Sequence, residues 1–570
     1  MRQLKMFSLA LLVVTGLAHA ASPAPVAAKN GMVVTAQQYA TRVGVDVLKN
    51  GGNAVDAAIA VGYALSVVYP AAGNLGGGGF MTVQFADGRR TFIDFRETAP
   101  LAASVDMYLD ATGNVVPDLS TRGYLAVGVP GTVAGLEYAR EKYGTKPRES
   151  LIAPSIALAE KGFVLDQGDV DILAEGTADF RKDAPSAAIY LAGGETLKAG
   201  ATLKQPDLAR TLRAISKGGR DGFYKGPVAS LLVAAMRANK GIITQKDLDA
   251  YRPRELAPVE CDYRGFHIVS APPPSSGGVT LCEILNVLAG YPLGEYGWGS
   301  ARAVHVEIEA MRHAYVDRNF LLGDPDFVKN PIAELLDAKY AAKLRTAIDP
   351  KRAGDSRAIK PGIETHEGTN TTHYSIADRF GNAVAVTYTL NDWFGARVTA
   401  PGTGVLLNDE MDDFTSKVGV PNMYGLVQGA NNKIEPGKRP LSSMTPTIVN
   451  KNGKPWMIVG TPGGSRIITA VLHTMINVID YGMDIQEAAA APRIHQQWLP
   501  EETSVEKYAL SADTREILAG MGHKLTQPQP ENHIAAILIG EPGLNLPPSG
   551  DNRFYGAVDP RRNTGLALGY

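Results

Sequence analysis

Two threonines, Thr371 and Thr389, stand in two runs of β-forming residues on either side of a Gly-Asn loop, an arrangement typical of a β-hairpin. If the turn lies at the middle of the loop, His373 pairs with Thr387 and Thr371 pairs with Thr389. Residues directly opposite each other on antiparallel strands have Cβ atoms about 4.5–5.5 Å apart. The pattern therefore predicts that the two hydroxyl groups meet, whereas a slip of one residue would send them to opposite faces.

A threonine hydroxyl is a weak nucleophile unless a base activates it. If the bond between Asn370 and Thr371 were cut, Thr371 would become N-terminal and its own α-amine could serve as that base. Such an amine has an ordinary pKa of about 7.7–8.0, which suits base catalysis near neutral pH. The same residues are also typical of an ordinary threonine-rich strand, and on the pattern alone that is the more frequent explanation.

The elements that must position these threonines are a mixture of helices and strands. Residues 33–68 and most of residues 130–344 have helical periodicity, and a polar, turn-rich linker occupies residues 351–370. Strands are predicted at residues 81–85, 92–95, 371–377, 383–390, 447–449, 456–459, 533–539 and 554–558, with helices at residues 466–481 and 485–491. Such a mixture predicts sheets covered by helices.

The first twenty residues differ from the rest of the chain. Arg2 and Lys5 precede an apolar run over residues 6–17 and an Ala-His-Ala site that ends at Ala20. This pattern predicts a cleaved signal peptide over residues 1–20 and export to the periplasm or the medium. The apolar run is shorter than the roughly 20 residues that a membrane span needs.

The overall composition gives information about net charge and about the two cysteines. The 570 residues carry a formal net charge of −2, which gives no reason to expect nucleic-acid binding. No other stretch is apolar enough for a membrane span. In an oxidising compartment the two cysteines, Cys261 and Cys282, are equally compatible with one disulfide and with two free thiols.

Several motifs follow one another along the chain in a recognisable order. Residues 371–395 read TTHYSIADRFGNAVAVTYTLNDWFG, and further motifs are DFRE at 94–97, PPPSSGG at 272–278, NDEMDDF at 408–414, RPLSSM at 439–444, GTPGGSR at 460–466 and DPR at 559–561. This series resembles the γ-glutamyltransferases, a family of N-terminal nucleophile (Ntn) hydrolases, over nearly the whole chain after residue 20.

The resemblance implies an α/β (α+β) fold, the four-layer αββα sandwich of Ntn hydrolases. It implies a precursor that cuts itself between Asn370 and Thr371 into a large subunit, residues 21–370, and a small catalytic subunit, residues 371–570, which share one core as a heterodimer. The implied donors are glutathione and other γ-glutamyl compounds, and the acyl-enzyme is resolved by water or by an amino-acid or dipeptide acceptor. No cofactor and no metal are implied.

The resemblance also implies a role for each site residue. Thr371 is the nucleophile, Thr389 helps to activate it, and the backbone of Gly463 and Gly464 forms the oxyanion hole. The implied substrate-binding residues are Arg96, Ser442 and Ser443 for the α-carboxylate, Asn391, Glu410 and Asp413 for the α-ammonium, and Tyr424 in a lid segment over residues 418–432.

Some alternatives remain beside this interpretation. The main rival is a cephalosporin (glutaryl) acylase on the same fold, and a catalytically inactive binding protein is a second. Residues 392–397, which contain Asp392 and Arg397, depart from many relatives and leave the acceptor undetermined. His305, Glu309 and His313 share a helical face, which we interpret as a polar face rather than a zinc site. The glycine loop at residues 73–80 lacks the spacing of a nucleotide-binding motif.

Overall fold

The computed structural model describes residues 22–359, 371–420, 422–423, 425–528 and 532–570, so the predicted signal peptide, Asn370 and Tyr424 lie outside the described residues. Two seven-stranded antiparallel sheets form the centre of this part of the chain. The first sheet has the strand order Leu566–Gly569, Met32–Thr35, Thr372–Ala377, Ala383–Thr389, Gly78–Gln84, Arg90–Asp94 and Arg254–Leu256. The second has the order Val26–Ala28, Phe554–Val558, Ala535–Ile539, Lys454–Gly460, Thr447–Lys451, Phe266–Ser270 and Val259–Tyr263.

The two sheets face each other across a core of small and branched side chains, among them Val34, Ala385 and Ile537. The outer face of each sheet is covered by helices that bury a second, larger apolar cluster. The helix Ala54–Val68 lies against the first sheet and is buried on every side, which explains why its sequence is apolar all round. The order helix, sheet, sheet, helix confirms the predicted αββα sandwich.

The helices and short strands outside the two sheets complete the fold. The other α-helices are Gln38–Lys49, Thr132–Tyr143, Arg148–Lys161, Gln167–Ala174, Thr177–Phe180, Ala184–Tyr190, Pro206–Gly218, Asp221–Tyr224, Gly226–Ala238, Gln245–Ala250, Gly277–Leu288, Leu293–Tyr296, Ala301–Leu321, Ile332–Leu335, Ala338–Ala347, Arg466–Ile479, Ile485–Ala490 and Ala512–Gly520. Short 3-10 helices occur at Tyr124–Ala126, Glu410–Asp413 and Ala430–Asn432. Small strands pair locally at Phe163–Val164, Leu191–Ala192, Glu195–Thr196, Thr202–Leu203, Thr399–Ala400, Val405–Leu406, Ile494–His495, Thr503–Val505 and Leu525–Thr526.

The hairpin Thr372–Ala377 and Ala383–Thr389, which we call the central hairpin, has the predicted register. His373 pairs with Thr387, and the ladder continues to Thr372 opposite Tyr388. One further step along the ladder places Thr371 opposite Thr389. Every residue of the two strands is buried, because sheet and helices cover both faces.

His373 lies between the two sheets, where its imidazole contacts neighbouring hydroxyl groups. Its Nδ1 is 2.8 Å from Thr387 Oγ1 and its Nε2 is 3.0 Å from Ser375 Oγ. Burial lowers the pKa of the His373 imidazole to about 3, so the ring is neutral at physiological pH. His373 therefore has a structural role in the described part of the chain.

Gly460, on the facing sheet, packs directly against this imidazole, and Gly460→Ala should destabilise the fold. A Cβ at Gly460 would lie 2.3 Å from His373 Nδ1 and Cε1, so the ring or the strand must shift. We expect a loss of about 1–3 kcal/mol in unfolding free energy, measured by chemical or thermal unfolding. Gly218→Ala is the matched control, because a Cβ there meets no atom within 4 Å. Equal midpoints for the two variants would contradict the packing argument.

The glycine loop differs from the prediction, because the strand Gly78–Gln84 begins inside it. Gly78 pairs with Thr389 and Gly79 pairs with Tyr388. A Cβ at Gly78 would lie 2.5 Å from Phe95 O, and one at Gly79 would lie 2.5 Å from Thr387 O. The glycines therefore let neighbouring backbones approach closely beside Thr389, a requirement that depends on tertiary contacts and leaves no periodic pattern.

The structure also answers the question of the cysteines. Cys261 of the strand Val259–Tyr263 and Cys282 of the helix Gly277–Leu288 form a disulfide. Among the described residues, no helix has both the length and the apolar character that crossing a membrane requires.

Candidate active site

A small cavity opens at the end of the central hairpin where Thr371 lies. Nine predicted site residues line it: Arg96, Thr371, Thr389, Asn391, Glu410, Asp413, Ser442, Ser443 and Gly464. The remaining walls come from Arg318, Leu426, Met444, Ser465 and Ile467. Residues from distant parts of the sequence thus meet in one small pocket.

Thr371 lines this cavity, and only 6% of its surface is exposed. Thr389 is held beside it at the end of the partner strand. The backbone N–H of Asn391 donates to Thr389 Oγ1 at 2.8 Å. Asn391 has a left-handed φ of 80°, which ends the strand and turns its side chain toward the same cavity.

The glycine pair lies in the turn between the strand Lys454–Gly460 and the helix Arg466–Ile479. Gly463 has φ 128° and Gly464 has φ 51°, conformations that side chains rarely adopt. A Cβ at Gly463 would also lie 2.1 Å from Asn532 Nδ2. Gly464 lines the cavity and Gly463 precedes it, so bare backbone near a helix N-terminus borders the cavity. Such backbone can stabilise negative charge on a reacting oxygen.

Arg96 is almost fully buried and joins the two acidic residues of the site in one ion-pair network. Its Nη1 contacts Glu410, its Nη2 contacts Asp413, and its Nε donates to the carbonyl of Pro440 at 3.3 Å. Burial alone would lower the pKa of Arg96, but the carboxylates of Glu410 and Asp413 outweigh burial and raise it. The resemblance assigns Arg96 and these acids to opposite charges of a substrate, whereas the structure also binds them to each other.

Glu97 adds a third carboxyl group to this network, 3.9 Å from Arg96 Nη1. Burial raises the pKa of Glu97 to about 7, although the charge of Arg96 opposes the shift. Burial likewise raises the pKa of Glu410. It raises the pKa of Asp412 to about 6 against a hydrogen bond from Ser120. Glu97 and Asp412 therefore hold protons at pH values where ordinary carboxyl groups are ionised.

Glu97→Gln should stabilise the fold at pH 8 and have little effect at pH 5. The pKa of Glu97 is about 7 in the folded chain, against an ordinary value of about 4.3. The folded state thus keeps a proton that the unfolded chain releases, and wild-type stability falls as the pH rises from about 4.3 through 7. Gln carries no such titration, so the variant should gain about 1–3 kcal/mol at pH 8 relative to pH 5. Thermal unfolding at both pH values measures this difference, and a pH-independent difference would contradict it.

Two motifs meet on one wall of the cavity and hold its serines. Ser276, within the 272–278 motif, receives a hydrogen bond from Arg318 and donates its own hydroxyl to the carbonyl of Ser442 at 2.7 Å. The backbone N–H of Ser442 donates to Pro274 O at 2.9 Å. Ser442 and Ser443 therefore line the cavity from a backbone anchored on both sides.

Sequence reasoning missed two residues that organise the site. Asn408 donates to the carbonyls of Gly76 and Gly128 at 2.7 and 2.8 Å and accepts from the N–H of Glu410 at 3.0 Å. It thereby fixes the 3-10 turn Glu410–Asp413, and its place in the 408–414 motif was the only signal. Arg318 lies in the helix Ala301–Leu321, where an arginine is ordinarily expected on a surface.

Part of the predicted lid segment covers the cavity. Leu426 forms a wall of it, and Gln428 Nε2 donates to the carbonyl of Asp413 at 3.1 Å. The N–H of Met423 donates to Asp412 Oδ2 at 2.8 Å. Tyr424 lies outside the described residues.

The residues that depart from the family pattern lie beside the cavity rather than in its described lining. Asp392 is paired with Arg122 at 3.3 Å and with Arg397 at 3.0 Å. The guanidinium of Arg562 lies 4.0 Å from the ring centroid of Trp393, which is buried. Both side chains have packing roles, and nothing in these contacts identifies an acceptor.

His305 and Glu309 belong to a buried group whose third member is His523, while His313 is not part of it. His305 Nε2 lies 2.8 Å from the carbonyl of Asp349, which only accepts, so Nε2 carries the proton. His305 Nδ1 lies 2.8 Å from His523 Nε2, so the two rings are hydrogen-bonded to each other. Burial lowers the pKa of His523 to about 3. These hydrogen bonds hold the two rings inside the fold.

Comparison with known proteins defines the family. The family model described as γ-glutamyltranspeptidase matches residues 40–569. The chain belongs to this family. It is 70% identical to the glutathione hydrolase proenzyme of Pseudomonas sp. (strain A14) over 553 residues, which is 97% of this chain and 96% of that protein. It is 48% identical to the glutathione hydrolase proenzyme of Escherichia coli (strain K12) over 548 residues, 96% of this chain and 93% of that protein.

Solved structures agree with this membership. A cephalosporin acylase from Bacillus halodurans superposes with a TM-score of 0.82 at 26% identity and covers 98% of this chain and 99% of its own. A chain of the Helicobacter pylori γ-glutamyltranspeptidase gives a TM-score of 0.56 at 47% identity and covers 57% of this chain and 93% of its own. The acylase and the γ-glutamyltranspeptidase both superpose on this chain, so the fold alone does not distinguish the two activities.

Proposed function

We propose that this chain is an autoprocessed γ-glutamyltransferase and glutathione hydrolase with Thr371 as its nucleophile. In the precursor the Thr371 hydroxyl attacks the carbonyl carbon of Asn370, and the peptide bond is exchanged for an ester. Water then hydrolyses the ester and frees the α-amine of Thr371. The products are a large subunit ending at Asn370 and a small subunit beginning at Thr371.

Mature Thr371 then acts on the γ-glutamyl amide of glutathione and related donors. Its α-amine takes the hydroxyl proton while the oxygen attacks the γ-carbonyl, and the N–H groups of Gly463 and Gly464 stabilise the developing oxyanion. The α-ammonium passes the proton to the leaving amine, which departs and leaves a γ-glutamyl ester on Thr371. Water, or the amine of an amino-acid or dipeptide acceptor, attacks this ester and restores the threonine.

The single observation that carries this proposal is the cavity, which places a threonine hydroxyl beside groups suited to both charges of a γ-glutamyl donor. Arg96, Ser442 and Ser443 are donors for an α-carboxylate. Asn391, Glu410 and Asp413 offer acceptors for an α-ammonium. The 70% identity to a glutathione hydrolase proenzyme supports the same substrate class.

The acylase alternative is less well supported. The superposition with a cephalosporin acylase is close, but the identity is 26%. A glutaryl group has a carboxylate and no ammonium, so it offers no donor to the acceptors of Asn391, Glu410 and Asp413 that a γ-glutamyl ammonium would use.

The two subunits should stay together after cleavage. The strand Gly78–Gln84 of the large subunit pairs along its whole length with Ala383–Thr389 of the small subunit, so the first sheet needs both. The word proenzyme in the relatives' names, and a solved family chain that corresponds to 57% of this one, support a chain cut in two. We also propose cleavage after Ala20 and a periplasmic or secreted location, on the pattern of residues 1–20.

Matched chromogenic donors test the proposed activity. The mature protein should hydrolyse γ-glutamyl-p-nitroanilide at least about 10-fold more efficiently than glutaryl-p-nitroanilide, which lacks only the α-ammonium. Added glycylglycine should raise the rate of p-nitroaniline release if a dipeptide serves as acceptor. A preference for the glutaryl compound would favour the acylase and overturn the proposal.

A further inference from the structure

Arg318 is a buried cation in the wall of the cavity, and no carboxylate in the described part of the chain lies within ion-pair distance of it. Only 1% of its surface is exposed. Its Nε donates to Ser276 Oγ at 3.0 Å and its Nη2 donates to Ser443 Oγ at 2.9 Å. Its Nη1 donates to the side-chain oxygens of Asn319 at 2.9 Å and of Gln428 at 3.3 Å. All of these partners are neutral.

Arg96 differs from Arg318 in its charge balance. The guanidinium of Arg96 contacts Glu410 and Asp413, and Glu97 stands 3.9 Å away. Asp413 also acts on Arg318 and tends to raise its pKa, but Asp413 Oδ2 is paired with Arg96. The positive charge that the cavity wall does not cancel therefore belongs to Arg318.

The charge of Arg318 persists at physiological pH. Burial lowers the pKa of Arg318 to about 10, and the charge of Arg96 acts in the same direction. The group still carries its proton at neutral pH. Burying a cation among neutral partners is expensive, and an apolar side chain of similar length would avoid that cost. A cation kept in a cavity wall at this expense points to an anion as its partner.

Arg318 also determines the direction of one hydrogen bond at the cavity. A guanidinium has donors only, so Ser443 Oγ must accept from Arg318. No residue in the described part of the chain accepts the hydroxyl proton of Ser443, which lines the cavity. That proton is therefore available to an acceptor placed in the cavity.

We propose that Arg318 is the positioning residue that selects donors with an α-carboxylate. It supplies the uncompensated positive charge, and it makes Ser443 a donor toward that carboxylate. This inference rests on the proposed function of the same site. It assigns to Arg318 part of the selectivity for an α-carboxylate, which the family resemblance assigns to Arg96.

Three donors and two substitutions test this assignment. Arg318→Met removes the charge and Arg318→Lys keeps it while losing most of the hydrogen bonds. Each variant is first checked for two subunits on a denaturing gel. It is then assayed with γ-glutamyl-p-nitroanilide, with glutaryl-p-nitroanilide and with 4-aminobutyryl-p-nitroanilide, which lacks only the α-carboxylate.

We expect Arg318→Met to lower kcat/KM by about 30-fold or more for the two donors that carry a carboxylate, mainly through KM. The value for 4-aminobutyryl-p-nitroanilide should change by less than about threefold, and Arg318→Lys should lie between Met and wild type for the carboxylate donors. If the Met variant is not processed, the same selective loss, about 10-fold, is required of Arg318→Lys.

Equal losses for all three donors would reduce Arg318 to a structural residue and overturn the inference, and so would unchanged kinetics. Failure of the underlying function looks different. In that case the wild-type protein itself would stay uncut or would not hydrolyse γ-glutamyl-p-nitroanilide. A processed and active wild type with unselective variants contradicts the role of Arg318 alone.

Discussion

Thr371→Ala should leave the chain uncut and lower kcat/KM for γ-glutamyl-p-nitroanilide by at least about 1,000-fold. The substitution removes the hydroxyl oxygen that we propose as the nucleophile both in self-cleavage and in catalysis. The fold should be retained, because the side chain lies at the rim of the ladder and its loss leaves the central hairpin intact. A denaturing gel and a p-nitroaniline assay measure the two effects on one preparation.

Thr372→Val is the matched control for this experiment. Thr372 is the next residue, its side chain points to the opposite face of the strand, and its buried hydroxyl has no hydrogen-bond partner among the described residues. Removal of that hydroxyl should leave processing and kcat/KM within about twofold of wild type, because no hydrogen bond is lost. Loss of processing in the Val variant, or normal processing in the Ala variant, would contradict the assignment of the nucleophile.

Arg96→Met should raise KM for γ-glutamyl-p-nitroanilide by at least about 100-fold, a loss of roughly 3 kcal/mol in donor binding. The substitution takes away a donor for the α-carboxylate and also leaves Glu410 and Asp413 without their cation. The acids must then take up protons or repel each other, so the site for the ammonium is damaged as well. Breaking a buried ion pair by removing one partner costs about 3–5 kcal/mol of stability in addition.

Arg254→Met separates the loss of binding from the loss of stability. Arg254 also bridges buried carboxylates, with Asp94 at 2.7 Å and Asp324 at 3.0 Å, but it is absent from the described lining of the cavity. We expect a comparable drop in the thermal midpoint and a KM within about threefold of wild type. Equal rises in KM for the two variants would show that Arg96 acts through the fold and not through the donor.

The parts of the fold that follow from local pattern were predicted well. The central hairpin was predicted in the correct register because alternating β-forming residues and a Gly-Asn loop determine it locally. The four-layer order came from the family resemblance, and the two sheets with their helical covers confirm it. The start of the strand at Gly78 could not be predicted, because the glycines there are required by close contacts with backbone segments that are distant in sequence.

The residues of the site could likewise be predicted only in part. The motifs identify its members, but three-dimensional contacts determine which of their charges neutralise each other. Arg96 and its two acids lie more than 300 residues apart in sequence. The sequence does not identify Arg318 as a site residue, because an Asp-Arg pair in a helix is typical of a solvent-exposed surface. The disulfide was undecidable, since spacing alone does not bring a strand and a helix together.

The intact mass of the denatured wild-type protein shows whether the chain makes its own N-terminal threonine. We expect two polypeptides in equal amounts, and the smaller one should have the mass of residues 371–570 with Thr371 at its N-terminus. A single polypeptide in an active preparation, or a small fragment that begins at any other residue, would contradict self-cleavage before Thr371.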